Sequence, residues 1–351
     1  MSDRFRELLR KIGSGPHTSE NLSRAEAAEA TKMMLSAEAT PAQIGAFLIA
    51  HRIKRPTGEE LAGMLDGCDQ FSPKLQPLST PPLLLNSPYD GRSRTAPVSP
   101  LTALIVATAG VPAILHGGDT MPTKEGIPLI EIWQGLGVDW TTLTLEQVQN
   151  VLETTGLGFF YLPAHFPEAA ALVPYRREIG KRPPIATMEL MLCPYAGEAM
   201  LACGYVHPPT ETLFCDTFQH RGTTQFITVK GLEGSCDLPR DRTCIIGVHQ
   251  SSDLSEEDSS LERLLLHPYE YGYGGKEVPF LGSTQLLADM QAVLAGQSGE
   301  LMQAVVWNGG FYLWQCGVCL DLESGLSTAK QLLVDGKVAE KLETLRLAVQ
   351  G

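Results

Sequence analysis

The chain has little that would take it into a membrane, out of the cell or, by charge alone, onto a nucleic acid. No apolar run approaches the ~20 residues that a membrane-crossing helix requires. The amphipathic, charged stretch at residues 1–15 has no long apolar core of the kind a secretory leader carries, so a cytoplasmic protein is expected. Positive charge is scarce: 27 Lys and Arg stand against 40 Asp and Glu, a net charge of −13. Such a surface favours solubility, and binding to phosphate backbones would need a local basic patch. Cysteines in metal-binding order are also missing. The 8 cysteines are scattered through mostly apolar runs, which suits reduced, buried thiols. Cys316 and Cys319 make one C-x-x-C with no second pair to complete a zinc site, and are expected to share a packed helix face. No repeat or low-complexity tract occurs.

What is present is an ordinary globular composition, 43% hydrophobic and 19% charged, in a chain long enough for a large domain with a small one. Residues 3 to about 75 read as helices. Phe5, Leu8, Leu9 and Ile12 form one stripe, and Ser23 with Glu26 has capping-box spacing. Thr40-Pro41 and Thr57 with Glu60 open two more helices. Residues 72–82, rich in Pro and Ser, read as a linker or hinge. Beyond them, short apolar runs at 82–87, 111–116, 158–164, 200–206 and 225–230 alternate with helical segments. That alternation implies parallel strands with crossover helices. Residues 253–260 read as a polar connection. Two helical segments follow, 283–294 and one from about 302 that passes Gly309-Gly310.

Ligands gather at the carboxyl ends of parallel strands, and polar loops leave these ends at 87–95, 116–126 and 231–239. The first loop offers Asp90-Gly91 as a turn and Arg92, Arg94, Thr95 and Ser99 as donors ahead of a helix. Unpaired N–H groups at a helix start favour an anion there. The second loop adds His116, Gly117 and Lys124. The third carries Glu233 and Asp237, oxygen ligands of the kind Mg²⁺ accepts. A further polar segment, 163–182, holds His165, Arg176, Arg177, Lys181 and Arg182.

Taken together, residues 8–15 and 23–64, most specifically 38–55, resemble the helical domain of anthranilate phosphoribosyltransferases. Residues 95–118 resemble that family's central helix and its Lys-His-Gly-Asn loop. Residues 165–182 resemble its acceptor-side segment, and 308–342 its closing helices. The resemblance implies the nucleoside phosphorylase/phosphoribosyltransferase family 3 fold: an α/β protein with a helical domain at 1–75 and a larger domain at 76–351. The larger domain would have a mostly parallel central sheet, with helices 283–351 packing back on it. It implies transfer of a phosphoribosyl group from phosphoribosyl pyrophosphate to an aromatic amine, the reaction type of tryptophan biosynthesis, with Mg²⁺ as cofactor and a homodimer formed through the helical domain. Under this expectation Asp90, Gly91, Thr95, Ser99 and Lys124 hold the donor phosphates. His116, Gly117, His165 and Arg176 hold the acceptor, and Glu233 and Asp237 hold the metal.

The sequence departs from the family pattern around the donor. The family's Gly-Thr-Gly-Gly-Asp-Gly loop reads Asn86-Ser87-Pro88-Tyr89-Asp90-Gly91 here, and proline removes an amide while tyrosine blocks close approach. Pro97 and Pro100 replace an Asn and a Thr. Leu115 and Gly118 replace the Lys and Asn flanking His116-Gly117, and Cys236-Asp237 replaces the Asp-Glu metal pair. The acceptor-site histidine falls on Phe166, with His165 one place earlier. These features resemble a divergent branch of the family in which some members bind nucleic acid. A second expectation is therefore a non-catalytic protein that binds single-stranded nucleic acid or another polyanion through Arg92, Arg94, Arg177, Lys181 and Arg182. A nucleoside phosphorylase-like activity is a third, for which no base-recognition set is evident.

Overall fold

The computed structural model describes residues 3–15, 17–250 and 261–351. The expected polar connection at 253–260 lies outside them. The amino-terminal helices form where capping signals and apolar stripes coincide. α1 (Asp3–Gly13) buries Phe5, Leu8 and Ile12. α2 (Arg24–Leu35), α3 (Pro41–Lys54) and α4 (Gly58–Asp69) each open on a complete capping box, from Ser23, Thr40 and Thr57. Each such box satisfies two amides that would otherwise lack partners, worth about 1 kcal/mol per cap. Phe5 of α1 meets Phe47 of α3 with ring centroids 5.4 Å apart.

Residues 72–82 are not a free hinge. The amide of Leu75 donates to the Pro194 carbonyl and that of Ala196 to the Leu75 carbonyl, both at 2.9 Å, so the connection is tied to the larger unit. The chain then builds β1 (Leu83–Asn86), α5 (Ser99–Thr108), β2 (Ala113–Gly117), α6 (Leu129–Gly135), α7 (Leu145–Thr155) and β3 (Leu157–Tyr161). Short helices follow: α8 (Leu162–His165), α9 (Pro167–Ala170), α10 (Val173–Ile179) and α11 (Ile185–Met188). Then come β4 (Met200–Gly204), α12 (Pro208–Arg221), β5 (Gln225–Val229), β6 (Cys244–Gln250) and β7 (Glu262–Leu266). The strands form one sheet in the order β3-β2-β1-β4-β5-β6-β7. The pairs from β3 through β5 are parallel, and β6 and β7 add an antiparallel edge. Buried on both faces, β1 and β2 are continuous apolar runs, the signature by which they were expected. The edge strands β6 and β7 were not expected from sequence. The strand order reverses beside β1, and the crevice at the carboxyl ends of β1, β2 and β5 is where the three polar loops meet.

The chain ends in α13 (Ser283–Leu294), α14 (Glu300–Gln315), α15 (Leu322–Val334) and α16 (Lys337–Gln350). α14 runs unbroken through Gly309-Gly310, where glycine permits close packing: a Cβ on Gly310 would stand 2.6 Å from the Leu326 Cα of α15, and one on Gly309 2.7 Å from the Ile105 side chain of α5. Cys316 caps α14 and Cys319 lies in the turn after it, both as free thiols, so they do not share a helix face as expected.

Candidate functional site

The loop after β1 was expected to be open to an anion. It is instead zipped to its neighbours. The Gly126 amide donates to Asp90 O at 3.0 Å, and the Ile127 amide to Arg92 O at 2.9 Å. Gly91 has φ +73, and a Cβ on it would meet Gly126 O at 2.4 Å. Glycine here permits backbone to approach backbone, leaving no room for a ligand. On the far side, the Ala96 amide donates to Val278 O at 2.8 Å and the Phe280 amide to Arg94 O at 2.9 Å.

The two residues expected to hold metal are fully engaged with the protein. Glu233 accepts from the amides of Ser93, Arg94 and Thr95 at 3.2, 3.0 and 2.9 Å, and from the Thr95 hydroxyl at 2.9 Å. Burial pushes its carboxyl up, but the Ser93 amide, the Thr95 hydroxyl and the neighbouring amides outweigh it and hold the group at about 2. Its backbone has φ 53, an unusual left-handed conformation for glutamate that turns the residue into the loop. Asp237 accepts from the Val98 amide at 3.0 Å and the Ser99 hydroxyl at 2.7 Å, and pairs with the Arg92 guanidinium. Among the described residues no group of three or more His, Cys, Asp or Glu could hold a metal ion. The donor set does not fit Mg²⁺, because a guanidinium stands beside the carboxylate that would bind it. Arg92 is 3% exposed, so it also leaves the open basic patch in which it was expected.

Asp90 is wholly buried, and neither of its carboxylate oxygens has a hydrogen-bond partner. Two cations reach it, Lys124 at 3.5 Å and Arg182 at 3.6 Å. Lys124 also donates to the carbonyls of Gly91 and Glu233. Burial lowers the Lys124 pKa, while the nearby Asp90 charge opposes that shift. Lys124 and Arg182 remain partly exposed, with side chains 23% and 32% accessible.

His116 stands at the end of β2, beside Gly117, and is buried within a hydrogen-bonded chain. The Asn86 amide nitrogen donates to the Leu190 and Leu192 carbonyls, so its oxygen accepts from His116 Nε2 at 2.8 Å. Nδ1 is then free to accept from the Tyr89 hydroxyl at 2.6 Å. Burial drives the His116 pKa down to about 3, which keeps the ring neutral. Tyr89, unexpected as a site residue, thus plugs the loop onto β2; its phenol next to a buried histidine was the signal missed.

On the acceptor side, Arg176 is buried and pairs with Glu189 at 2.5 Å. Its Nε and Nη2 have no partner. Burial raises the Glu189 pKa, with Arg176 opposing the rise. The neighbouring cavity, walled by Tyr89, Leu162, Phe166 and Glu189, measures about 30 Å³, room for a water or two. His165 does not face it with free nitrogens: Nδ1 accepts from the Tyr161 amide at 3.0 Å and Nε2 meets Leu143 O at 2.9 Å. Both ring nitrogens are spent on backbone, so the expected acceptor contact is replaced by a structural one.

The exposed basic groups lie further out. Arg94, Arg177 and Lys181 are exposed. A groove of about 460 Å³ between the α3–α4 turn and the amino end of α12 is lined by Arg52, Arg55, Thr57, Arg182, Thr210 and Asp216. Arg52 donates to the Arg182 carbonyl, which joins the helical unit to this wall.

Residues 6–71 match the helical bundle domain of the glycosyl transferase family, and residues 90–339 match its a/b domain. The chain belongs to glycosyl transferase family 3. Within that family it is an anthranilate phosphoribosyltransferase-like protein, and the family is one of phosphoribosyltransferases. It is 28% identical over 350 residues to anthranilate phosphoribosyltransferase of Natronomonas pharaonis, covering 97% of this chain and 99% of that one. Identity to the Afipia carboxidovorans enzyme is 29% over 358 residues, covering 98% of each. The fold matches the Thermus thermophilus anthranilate phosphoribosyltransferase with TM-score 0.81 at 22% identity, over 100% of both chains. The Saccharomyces cerevisiae enzyme in complex with phosphoribosyl pyrophosphate and Mg matches with TM-score 0.83 at 15% identity, over 100% of this chain and 99% of that one. At such identities the structural likeness establishes the family fold, and no helix among the described residues is long and apolar enough to cross a membrane.

Proposed function

We propose that this family member binds a phosphate-bearing ligand at the mouth of the cleft, between Lys124 and Arg182. One observation carries this: two partly exposed cations, Lys124 and Arg182, converge on the buried carboxylate of Asp90 at an open edge. Phosphoribosyl pyrophosphate, which is bound in the yeast relative, is the small ligand that kinship favours. Transfer of its phosphoribosyl group to an aromatic amine is the corresponding reaction. For this chain to perform it, Asp237 and Arg92 have to part at the amino end of α5, and Arg176 has to release Glu189 to meet an anionic acceptor. Mg²⁺ has no ready seat on Glu233 and Asp237, so binding is expected to proceed without metal. Calorimetry with phosphoribosyl pyrophosphate tests the proposal: Lys124→Ala and Arg182→Ala should each weaken binding by ~tenfold. No heat at millimolar ligand would overturn it.

A longer polyanion is the second ligand class that the surface favours. The groove bearing Arg52 and Arg55 shares Arg182 with the mouth, so the basic face extends beyond a single phosphate. Single-stranded nucleic acid should then be retained in a salt-sensitive way, weakened by Arg55→Glu with Arg182→Glu. Failure of retention at low salt would exclude it. The same proposal includes cytoplasmic placement and a homodimer through the helical unit, where Leu9, Ile12, Ile49 and Ile53, rimmed by Arg6, Arg10 and Lys54, line a groove on α1 and α3. Sedimentation equilibrium checks the dimer.

A further inference from the structure

We propose that the groove between the α3–α4 turn and the amino end of α12 is a second ligand site, which takes a phosphate ester of a hydroxylated carbon skeleton, as in a sugar phosphate or a nucleotide. The inference deepens the polyanion reading, whose arginines it uses, by confining the ligand to one phosphate group. At about 460 Å³ the groove has the volume of a small-molecule pocket. Its cations come from both units of the fold, Arg52 and Arg55 from the end of α3 and Arg182 from the segment after α10. Arg55 is exposed, and its guanidinium has no hydrogen bond or ion pair among the described residues. Its backbone, at φ 69 and ψ 123 just before Pro56, lies where glycine is the usual occupant. Retaining an arginine in so strained a place points to a task for the side chain.

The remaining lining suits the hydroxyl-bearing part of such a ligand. Thr187, Thr210, Thr212 and Asp216 line the groove, and none of their side chains has a hydrogen-bond or ion-pair partner among the described residues. The Thr57 hydroxyl, by contrast, is engaged in the cap of α4. Asp216 is fixed against the start of α4, where a Cβ on Gly58 would stand 2.4 Å from the Asp216 Cβ. Its carboxylate would repel a bare polyanion, whereas a sugar hydroxyl donates to it. Pro183, Pro184 and Pro209 add rigid apolar surface for the carbon skeleton or ring. Guanidiniums for the phosphate, with hydroxyls and one carboxylate for ligand hydroxyls, therefore share one groove.

The test is calorimetry on the full chain carrying Lys124→Ala, which weakens the mouth, with glucose 6-phosphate, AMP and inorganic phosphate as separate titrants. One equivalent of glucose 6-phosphate or AMP should bind, and the tighter of the two identifies the source of the ester. Arg55→Ala should weaken that binding by ~tenfold. Asp216→Ala should weaken it by ~fivefold while leaving inorganic phosphate bound no more weakly. Both residues are exposed, so neither variant should disturb the fold. No heat from either ester at millimolar concentration would overturn the inference. Binding unchanged by Arg55→Ala would do the same, as would inorganic phosphate binding as tightly as the esters. Retention of single-stranded nucleic acid without ester binding would refute this site and leave the polyanion reading standing. Ester binding without such retention would do the reverse.

Discussion

The cluster at the amino end of α5 and the mouth of the cleft lie a few residues apart, and both are rich in charge. In the cluster every charge has a protein partner: Arg92 with Asp237, and Glu233 with the 93–95 amides. At the mouth Lys124 and Arg182 share one carboxylate, and Arg55 stands exposed in the adjoining groove. Charges of the first kind fix the loop, whereas charges of the second kind remain available to a ligand. Residue type alone does not separate them, since both regions present arginines, a lysine and carboxylates on loops at strand ends.

Mutations should separate the two regions sharply. Arg92→Ala leaves Asp237 buried without its cation and should cost about 3–5 kcal/mol in urea unfolding. A loss below about 1 kcal/mol would place Arg92 with the mouth residues instead. Acid should act on the buried side next. The folded His116 pKa, about 3, lies below its ordinary 6.5, so the unfolded chain binds the proton more readily. Its contribution is complete above 6.5 and drains as pH falls toward 3, by up to ~1.4 kcal/mol per pH unit. Unfolding measured at pH 7 and pH 5 should show that slope, and His116→Asn should flatten it. Tyr89→Phe removes the donor to His116 Nδ1 and should cost about 1–3 kcal/mol. Beside the mouth, Arg55→Glu alone should change stability by no more than about 0.5 kcal/mol, whereas adding Arg182→Glu sets a carboxylate against buried Asp90 and should cost more. The same double variant should lower the salt dependence of polyanion binding by roughly one to two in slope.

The framework was legible in the sequence because periodicity and caps are local. Ser23, Thr40 and Thr57 announce α2, α3 and α4, and the apolar runs at Leu83–Asn86 and Ala113–Gly117 announce buried parallel strands. β7 escaped because it is half-exposed and its alternation weak: Glu262, Arg263 and Leu265 are all exposed, whereas β6 is mostly buried and its apolar run is broken by Gly247. The site was legible only as a set of residues. Ser99 and Asp237 do meet, and so do Asp90 and Lys124, yet whether a polar group faces a ligand or another side chain depends on partners more than 100 residues away. Arg92 reaches Asp237 across 145 positions, and no local signal at Arg92 distinguishes it from Arg94 two residues on. Glu189 lies only 13 residues from Arg176, yet nothing near it marks it as the partner that neutralises the guanidinium.

Arg92 pairs with the carboxylate on which a divalent cation would otherwise sit. Titrating the wild-type protein with Mn²⁺ and following the free ion by electron paramagnetic resonance tests this directly. The predicted result is no stoichiometric binding up to millimolar metal. One equivalent of Mn²⁺ bound at micromolar concentration, and lost in Asp237→Asn, would contradict it.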